Sequence, residues 1–205
     1  MALDLKALLA PARSALLMME CQNGVIGGGG RFGALAEAVA RRGMVEHIAR
    51  LLKAARHAGL PVFHLTTSRR ADGRSAITNC AILAAGKKGE PLVVGSDRHA
   101  VVPELAPVEA DFVLNRQHGL TPFHQTELDQ LLRNLGVQTV VATGVSVNVG
   151  VLGLTIEAVN SGYQVVIPRE AVAGTPEDYV DAVLQNTLRV LATVTTVDDV
   201  LAAWT

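Results

Sequence analysis

The sequence is poor in features that define several large protein classes. Aromatic residues make up only 3% of the chain, and there are two cysteines, Cys21 and Cys80. Two cysteines cannot build a disulfide framework, and these two belong to no Cys-x-x-Cys or Cys/His metal spacing. We therefore interpret both as reduced thiols, and we expect neither a metal nor a cofactor.

Long apolar runs and an excess of charge of one sign are also missing. No stretch reaches the roughly 18 continuous apolar residues of a membrane span, and the N-terminus lacks a basic start followed by a cleavage site. Lys plus Arg total 18 against 19 Asp plus Glu, so the net charge is -1. This balance gives no electrostatic reason to bind nucleic acid or an anionic membrane. We expect a cytoplasmic protein whose partner is a small molecule.

The chain is instead rich in aliphatic residues, because 49% of its residues are hydrophobic and few of these are aromatic. Short apolar, β-branched runs alternate with stretches in which apolar residues recur at helical spacing, and no Pro/Ser-rich linker interrupts them. This alternation predicts a single α/β domain over residues 1–205. We expect three α/β/α layers around a doubly wound, Rossmann-like, mainly parallel sheet of six strands in the order 3-2-1-4-5-6.

The predicted strands lie at residues 14–20, 62–66, 111–114 and 138–142, before residue 166 and near residue 194. The predicted helices run from residue 44, or as early as 34, to Gly59, over 77–85, after a Thr126 cap, over 148–161, and from a Thr175 cap to about residue 191. The four glycines at 27–30 lack the lysine and the spacing of a phosphate-binding loop, so we interpret them as a flexible loop.

This strand order brings two distant turns into one crevice. The first strand ends at Glu20 and the fourth at Gly144, and the order places these ends side by side at the topological switch point, where open α/β sheets bind ligands. Asn148 is a competent N-cap for the helix that follows the second turn. Its position predicts free backbone N–H groups and a positive helix end facing the crevice.

The second of these turns, GVSVNVGV at residues 144–151, resembles the signature turn of the isochorismatase-like cysteine hydrolases. The resemblance extends from Ala15 to about Thr196. It implies a hydrolase, a small-molecule substrate and a homodimer or higher homo-oligomer. It also implies a non-proline cis peptide between Val145 and Ser146.

The three catalytic positions of the family are all altered in this chain. Glu20, in MMECQN at residues 18–23, takes the place of a catalytic aspartate. Arg116 is the cation nearest to the place of a lysine, although a strict count from the next motif falls on Gln117. Gly150 takes the place of the nucleophilic cysteine. The family has a precedent for this glycine in isochorismatase proper, which cleaves a vinyl ether by acid chemistry.

The same motifs imply a set of substrate-binding residues: Gln22, Gln117, His118, Phe123, Val145, Ser146 and Asn148. Arg69 joins them on position, because it follows the second strand at the edge where such sheets bind ligands. Arg69 could act as an anion clamp or be a solvated surface residue, and both interpretations stay open.

Gly150 stands out for another reason, because alanine is the better helix former at such a position. A glycine there predicts the close approach of a substrate or of a packed side chain, such as one from residues 116–123.

Three functions remain open on this evidence. The first is an isochorismatase-like hydrolase of a small, anionic metabolite that uses acid or water chemistry rather than a cysteine thioester, with Glu20 as the acid or the group that orients water. The second is a non-catalytic small-molecule-binding pseudoenzyme that retains the fold. The third is an amidase with Cys21 or a bound water as nucleophile. Cys21 is expected to point away from Glu20, because neighbouring strand residues face opposite sides.

Overall fold

The computed structural model describes residues 4–28 and 33–205. Its sheet follows the order β3-β2-β1-β4-β5-β7, and these strands pair in parallel. The strands are β1 (Ser14–Met19), β2 (Val62–Thr67), β3 (Phe112–Arg116), β4 (Thr139–Val145), β5 (Gln164–Pro168), β6 (Val172–Ala173) and β7 (Thr193–Thr195). The predicted order of six strands is therefore confirmed. The two-residue strand β6 is an addition, and it pairs with the end of β4.

Helices cover both faces of this sheet. They are α1 (Leu5–Leu8), α2 (Asn23–Ile26), α3 (Gly33–Arg41), α4 (Met44–His57), α5 (Ala81–Lys87), α6 (Leu128–Asn134), α7 (Leu152–Asn160), α8 (Glu177–Asn186) and α9 (Val197–Trp204). Among the described residues, no helix is both long and apolar enough to cross a membrane. The glycine run at 27–30 lies partly outside the described residues, because the description stops at residue 28 and resumes at 33.

The two central strands are buried along their whole length, as expected for a parallel sheet covered on both faces. Alternate residues of β1 enter two separate cores. Leu16 and Met18 pack with apolar side chains of α3, α4 and α9. Leu17 and Met19 pack with those of α6, α7 and α8. The side-chain alternation of one short strand thus joins the two helical layers.

Several helix boundaries differ from the sequence-based expectation. A helix start as early as residue 34 is wrong for α4, because Gly43 adopts a φ of +58° and separates α3 from α4. Helix α5 begins at Ala81 rather than at residue 77. Helix α8 ends at Asn186, and a separate 3₁₀ turn, Leu188–Val190, follows it.

The predicted caps were also wrong in three places. Asn148 lies inside a π-helical turn, Val147–Val151, that precedes α7, and Ser146 takes the cap position. Pro176, not Thr175, precedes α8, and the Thr175–Pro176 peptide is cis. Glu127 occupies the N-cap position of α6 without a side-chain hydrogen bond, while the Thr126 hydroxyl accepts a hydrogen bond from the Leu128 N–H. In each case the capping rule identified the region but not the residue, because backbone geometry there is set by tertiary packing.

The strand registers place the crevice that the sequence predicts. Met19 pairs with Gly144, so Glu20 follows β1 beside the end of β4. Strand β3 runs two residues further than predicted, to Arg116, which pairs with Thr67 at the end of β2. The carboxyl ends of β3, β2, β1 and β4 therefore form one edge.

Candidate active site

An ion pair between Glu20 and Arg116 lies at this edge. Glu20 follows β1 with a φ of +52°, and its N–H donates to the Leu65 carbonyl oxygen at 2.9 Å. Arg116 ends β3, is only 6% exposed, and donates from Nη2 to the Glu20 carboxylate. Its Nε and Nη1 are buried and have no hydrogen-bond partner among the described residues. The arginine thus retains donors that a bound anion could use.

A cavity of about 90 Å³ opens beside this pair. Its polar lining includes Thr67 and Ser68 at the end of β2, together with Glu20, Arg69 and Arg116. Its apolar lining comes from Val25, Ile82, Leu83, Leu92 and Leu120. The charged lining residues are two arginines and one glutamate, which leaves an excess of one positive charge. Such a lining suits a small anion that has an apolar part.

The structure distinguishes the two candidates for the lysine place. Arg116 meets Glu20, whereas Gln117 is exposed. His118 is exposed too, and its Nε2 lies 3.1 Å from Gln125 Oε1. Arg116 therefore takes the lysine place, because β3 extends far enough to turn its side chain towards Glu20.

Gln22 does not line the cavity but holds backbone segments next to it in place. It is fully buried, and its Nε2 donates to the Thr67 carbonyl at 3.0 Å and to the His99 carbonyl at 2.8 Å. Its Oε1 accepts from the Thr67 N–H at 2.8 Å. Its polar atoms are engaged by backbone, so Gln22 holds the end of β2 against the segment around His99.

The turn at residues 145–150 contributes less to the cavity than expected. The Val145–Ser146 peptide is cis, as the resemblance implies. A Cβ added to Gly150 would lie 2.7 Å from Met19 Cε and 3.0 Å from the Val145 carbonyl oxygen. The side chain packed against Gly150 therefore comes from β1 and not from residues 116–123. Met19 is fully buried, so its thioether fills the place beside Gly150.

The other candidates of this region also lie outside the cavity lining. Asn148 Nδ2 donates to the Thr175 carbonyl at 3.2 Å, while its Oδ1 is buried and without a partner among the described residues. Phe123 packs beside Tyr163, with ring centroids 6.1 Å apart. Val145 is buried and Ser146 is partly buried at the start of the turn.

Cys21 is placed as a structural thiol. It is 3% exposed, and its Sγ lies 3.7 Å from the Met19 carbonyl oxygen. Burial, with a smaller contribution from the charge of Glu20, raises the pKa of the Cys21 thiol to about 12. Such a thiol does not form the thiolate that nucleophilic attack requires. Within the described ranges, no group of three or more His, Cys, Asp or Glu could hold a metal ion.

Sequence reasoning missed the cavity wall formed by Thr67, Ser68 and α5. A signal for the first two exists, because they end a strand whose neighbours carry the candidate residues. No such sequence signal exists for Ile82 and Leu83. They belong to α5, whose placement over this edge of the sheet depends on tertiary contacts.

Comparison with known proteins identifies the family. A family model described as the isochorismatase domain matches residues 14–199. The chain belongs to the isochorismatase family. It is 29% identical, over 69% of its length, to the ureidoacrylate amidohydrolase RutB of Methylobacterium radiotolerans. The chain spans less than two thirds of the length of the first curated relatives it matches, 59% in the case of RutB.

Solved structures of the family show the same fold. An isochorismatase family protein from Burkholderia thailandensis is 28% identical with a TM-score of 0.77, covering 94% of this chain and 96% of its own. The N-carbamoylsarcosine amidase of Thermoplasma acidophilum is 26% identical with a TM-score of 0.73, covering 91% of this chain and 97% of its own.

Proposed function

We propose that this protein is a hydrolase that cleaves a small, anionic metabolite with water rather than through a cysteine thioester. The observation that carries the proposal is the Glu20–Arg116 pair, which opens onto a cavity. Among the described residues, no cysteine lines that cavity. Gly150 offers no nucleophile, and the nearby Cys21 thiol is held protonated.

The chemistry assigns one role to each member of the pair. An ionised carboxylate accepts hydrogen bonds, so Glu20 can orient a water molecule and take its proton as the water oxygen attacks a carbonyl carbon. Arg116 keeps its proton at any physiological pH. Its unpartnered Nε and Nη1 donors can stabilise the negative charge that develops on the substrate oxygen. When the oxyanion reforms the carbonyl and the bond between the carbonyl carbon and the leaving group breaks, Glu20 gives the proton to the leaving group.

The ion pair favours this water-orienting role over a general-acid role for Glu20, because an ionised carboxylate has no proton to give at the start of the reaction. The names of two relatives support an amide as the bond to test first. RutB is a ureidoacrylate amidohydrolase, and the Thermoplasma enzyme is an N-carbamoylsarcosine amidase. Both substrates combine a carboxylate with an amide-type bond.

The test is ammonia release from N-carbamoylsarcosine and ureidoacrylate, repeated in the presence of hydroxylamine. A thioester intermediate would be trapped as a hydroxamate, whereas direct attack by water yields none. We expect turnover without hydroxamate, loss of turnover in Glu20→Gln, and no inhibition by iodoacetamide in a Cys80→Ser background. Hydroxamate formation at the rate of turnover would overturn the water mechanism.

A second function, a binding protein without catalysis, is favoured by the Met19 thioether that fills the place beside Gly150. Its expected outcome is saturable binding of these carboxylates with no ammonia release above the rate of Glu20→Gln. The same experiment therefore separates the two functions.

We further propose that residues 1–205 form one domain that assembles as a homodimer or higher homo-oligomer in the cytoplasm and acts without a cofactor. The family resemblance supports the assembly. Sedimentation at micromolar concentration tests it, and a monomer alone would contradict it.

A further inference from the structure

A close contact joins Arg69 to the helix that covers the cavity. A Cβ added to Gly86 would lie 2.6 Å from Arg69 Nη2 and 3.1 Å from Nη1. Gly86 is the one residue of α5 that is buried. A side chain at this position would displace the flexible end of Arg69, so the observed position of the guanidinium depends on Gly86.

The Arg69 guanidinium has no carboxylate partner within the described ranges. Its Nη1 is buried and unpartnered, although the Arg69 N–H is fixed to the Leu92 carbonyl at 2.8 Å. The adjacent Arg70 differs, because its guanidinium pairs with Asp72. A buried guanidinium donor without a partner is costly. An anion in the cavity would remove that cost.

Of the two arginines that line the cavity, Arg69 is the one whose charge is not balanced. Arg116 is paired with Glu20, so it can stabilise a developing charge but is partly neutralised before a ligand arrives. The planar guanidinium of Arg69 matches a carboxylate, which it can hold through two parallel N–H donors. The apolar lining that includes Ile82, Leu83 and Leu92 suits a short carbon chain.

We infer that the substrate carries a carboxylate on a short carbon chain, that Arg69 binds this carboxylate, and that Gly86 sets the specificity by positioning Arg69. The inference deepens the proposed function and rests on it for the reaction. The binding step itself does not depend on catalysis, so it can be tested alone.

The probes are butyrate and butyramide, which have nearly the same shape and differ in charge. Titration of each into the wild-type protein, followed by NMR, measures the two dissociation constants. We expect butyrate to bind about 10-fold to 100-fold more tightly than butyramide, as expected for hydrogen bonds to a charged group.

Arg69→Gln should abolish the preference for butyrate, and Arg69→Lys should retain part of it. Gly86→Ala should weaken butyrate binding about 10-fold or more, because the displaced guanidinium loses the same hydrogen bonds.

Two matched variants control for general effects. Arg74→Gln removes an exposed arginine of the same loop, and Gly33→Ala adds a methyl group that meets no atom of the described residues within 4 Å. Both should bind butyrate like the wild type. Circular dichroism measures whether each variant is folded. If Arg69→Gln does not fold, the binding preference is tested with Arg69→Lys.

Equal affinity for the two probes, no butyrate binding, or a preference that survives in Arg69→Gln would overturn the inference. Failure of the proposed function has a different signature. If Arg69 governs butyrate binding but no carboxylate amide is hydrolysed, the inference stands and the hydrolase proposal falls. If amides are hydrolysed with the same kcat/KM in Arg69→Gln, the hydrolase stands and the inference falls.

Discussion

The two ends of β3 each carry an ion pair with one buried partner, and the pairs differ in how completely their polar atoms are hydrogen-bonded. Asp111, just before the strand, accepts hydrogen bonds from Arg56 and from the Val108 N–H at 3.0 Å, and lies 3.1 Å from His64 Nε2. Its side chain is 2% exposed. Arg116, at the other end of the strand, leaves two donors unused beside a cavity.

This contrast separates a structural cluster from the candidate functional one. Burial alone would raise the pKa of Asp111, but the hydrogen bonds from Arg56, Val108 and His64 outweigh it and lower the pKa. The Arg56–Asp111 pair therefore stabilises the folded chain, although Nδ1 of the adjoining His64 is buried without a partner among the described residues. The unused donors of Arg116 cost folding free energy instead, and a bound anion would offset that cost.

The largest expected effect is on turnover at the unsatisfied end. Glu20→Gln keeps the shape of the side chain and removes its charge, so it should lower kcat per folded molecule about 100-fold or more. It should also lower the melting temperature, because it leaves the buried Arg116 guanidinium without its charged partner. Ammonia release and thermal unfolding measure the two quantities. Asp111→Asn is the matched control at the other end of β3, and it should leave kcat per folded molecule unchanged. Retained turnover in Glu20→Gln would show that the unsatisfied pair is not the catalytic one.

The next effect is on stability at the satisfied end. Asp111→Asn leaves Arg56 without its ion-pair partner and should lower the free energy of unfolding by about 2 kcal/mol, less than for a fully buried pair because Arg56 is 30% exposed. Urea unfolding measures this change. A change within about 0.5 kcal/mol, the range of ordinary surface substitutions, would mean that Asp111 contributes no more than a surface residue.

The pH dependence of stability sharpens the same comparison. Burial lowers the pKa of His64 below its ordinary value of 6.5, despite the opposing hydrogen bond to Asp111. The unfolded chain then binds the proton first, so the free energy of unfolding should fall as pH decreases from about 6.5 towards the lower pKa of the folded state. Asp111 acts at lower pH, because its stabilisation is fully present above 3.8 and is lost as pH falls through its depressed pKa.

His64→Gln tests this assignment by removing one of the two groups. The variant should lose the decline that begins near pH 6.5 and keep the decline at lower pH. Urea unfolding at a series of pH values measures both. An unchanged upper decline in His64→Gln would assign that part of the profile to other groups.

The smallest expected effect concerns Gly150, which lies in packed core like Asp111 rather than beside the cavity. Gly150→Ala would crowd Met19 Cε and should lower the free energy of unfolding by about 1 kcal/mol. Met19→Ala should remove most of this penalty in the double variant, because it vacates the crowded space. Gly33→Ala is the uncrowded control. A stabilising Gly150→Ala would indicate an open pocket and not a filled one.

Much of the architecture followed from the sequence by itself. The largely apolar runs of β1 and β4, with helical patterns between them, predicted a parallel sheet, and the expected sheet order placed Glu20 beside Gly144. The register that pairs Met19 with Gly144 confirms this placement. A strand that is buried on both faces shows no alternation of polar and apolar residues. It is recognised instead from its apolar composition and from the order in which strands and helices follow one another.

The contents of the site were decided only by tertiary structure. Whether Arg116 or Gln117 faces Glu20 depended on the residue at which β3 ends, and the Met19 thioether beside Gly150 depended on the packing of β1 against the turn. The contact of Arg69 with Gly86 joins two segments that share no periodicity. Sequence patterns report the local environment of each residue, whereas a cavity is the space left between segments distant in the chain.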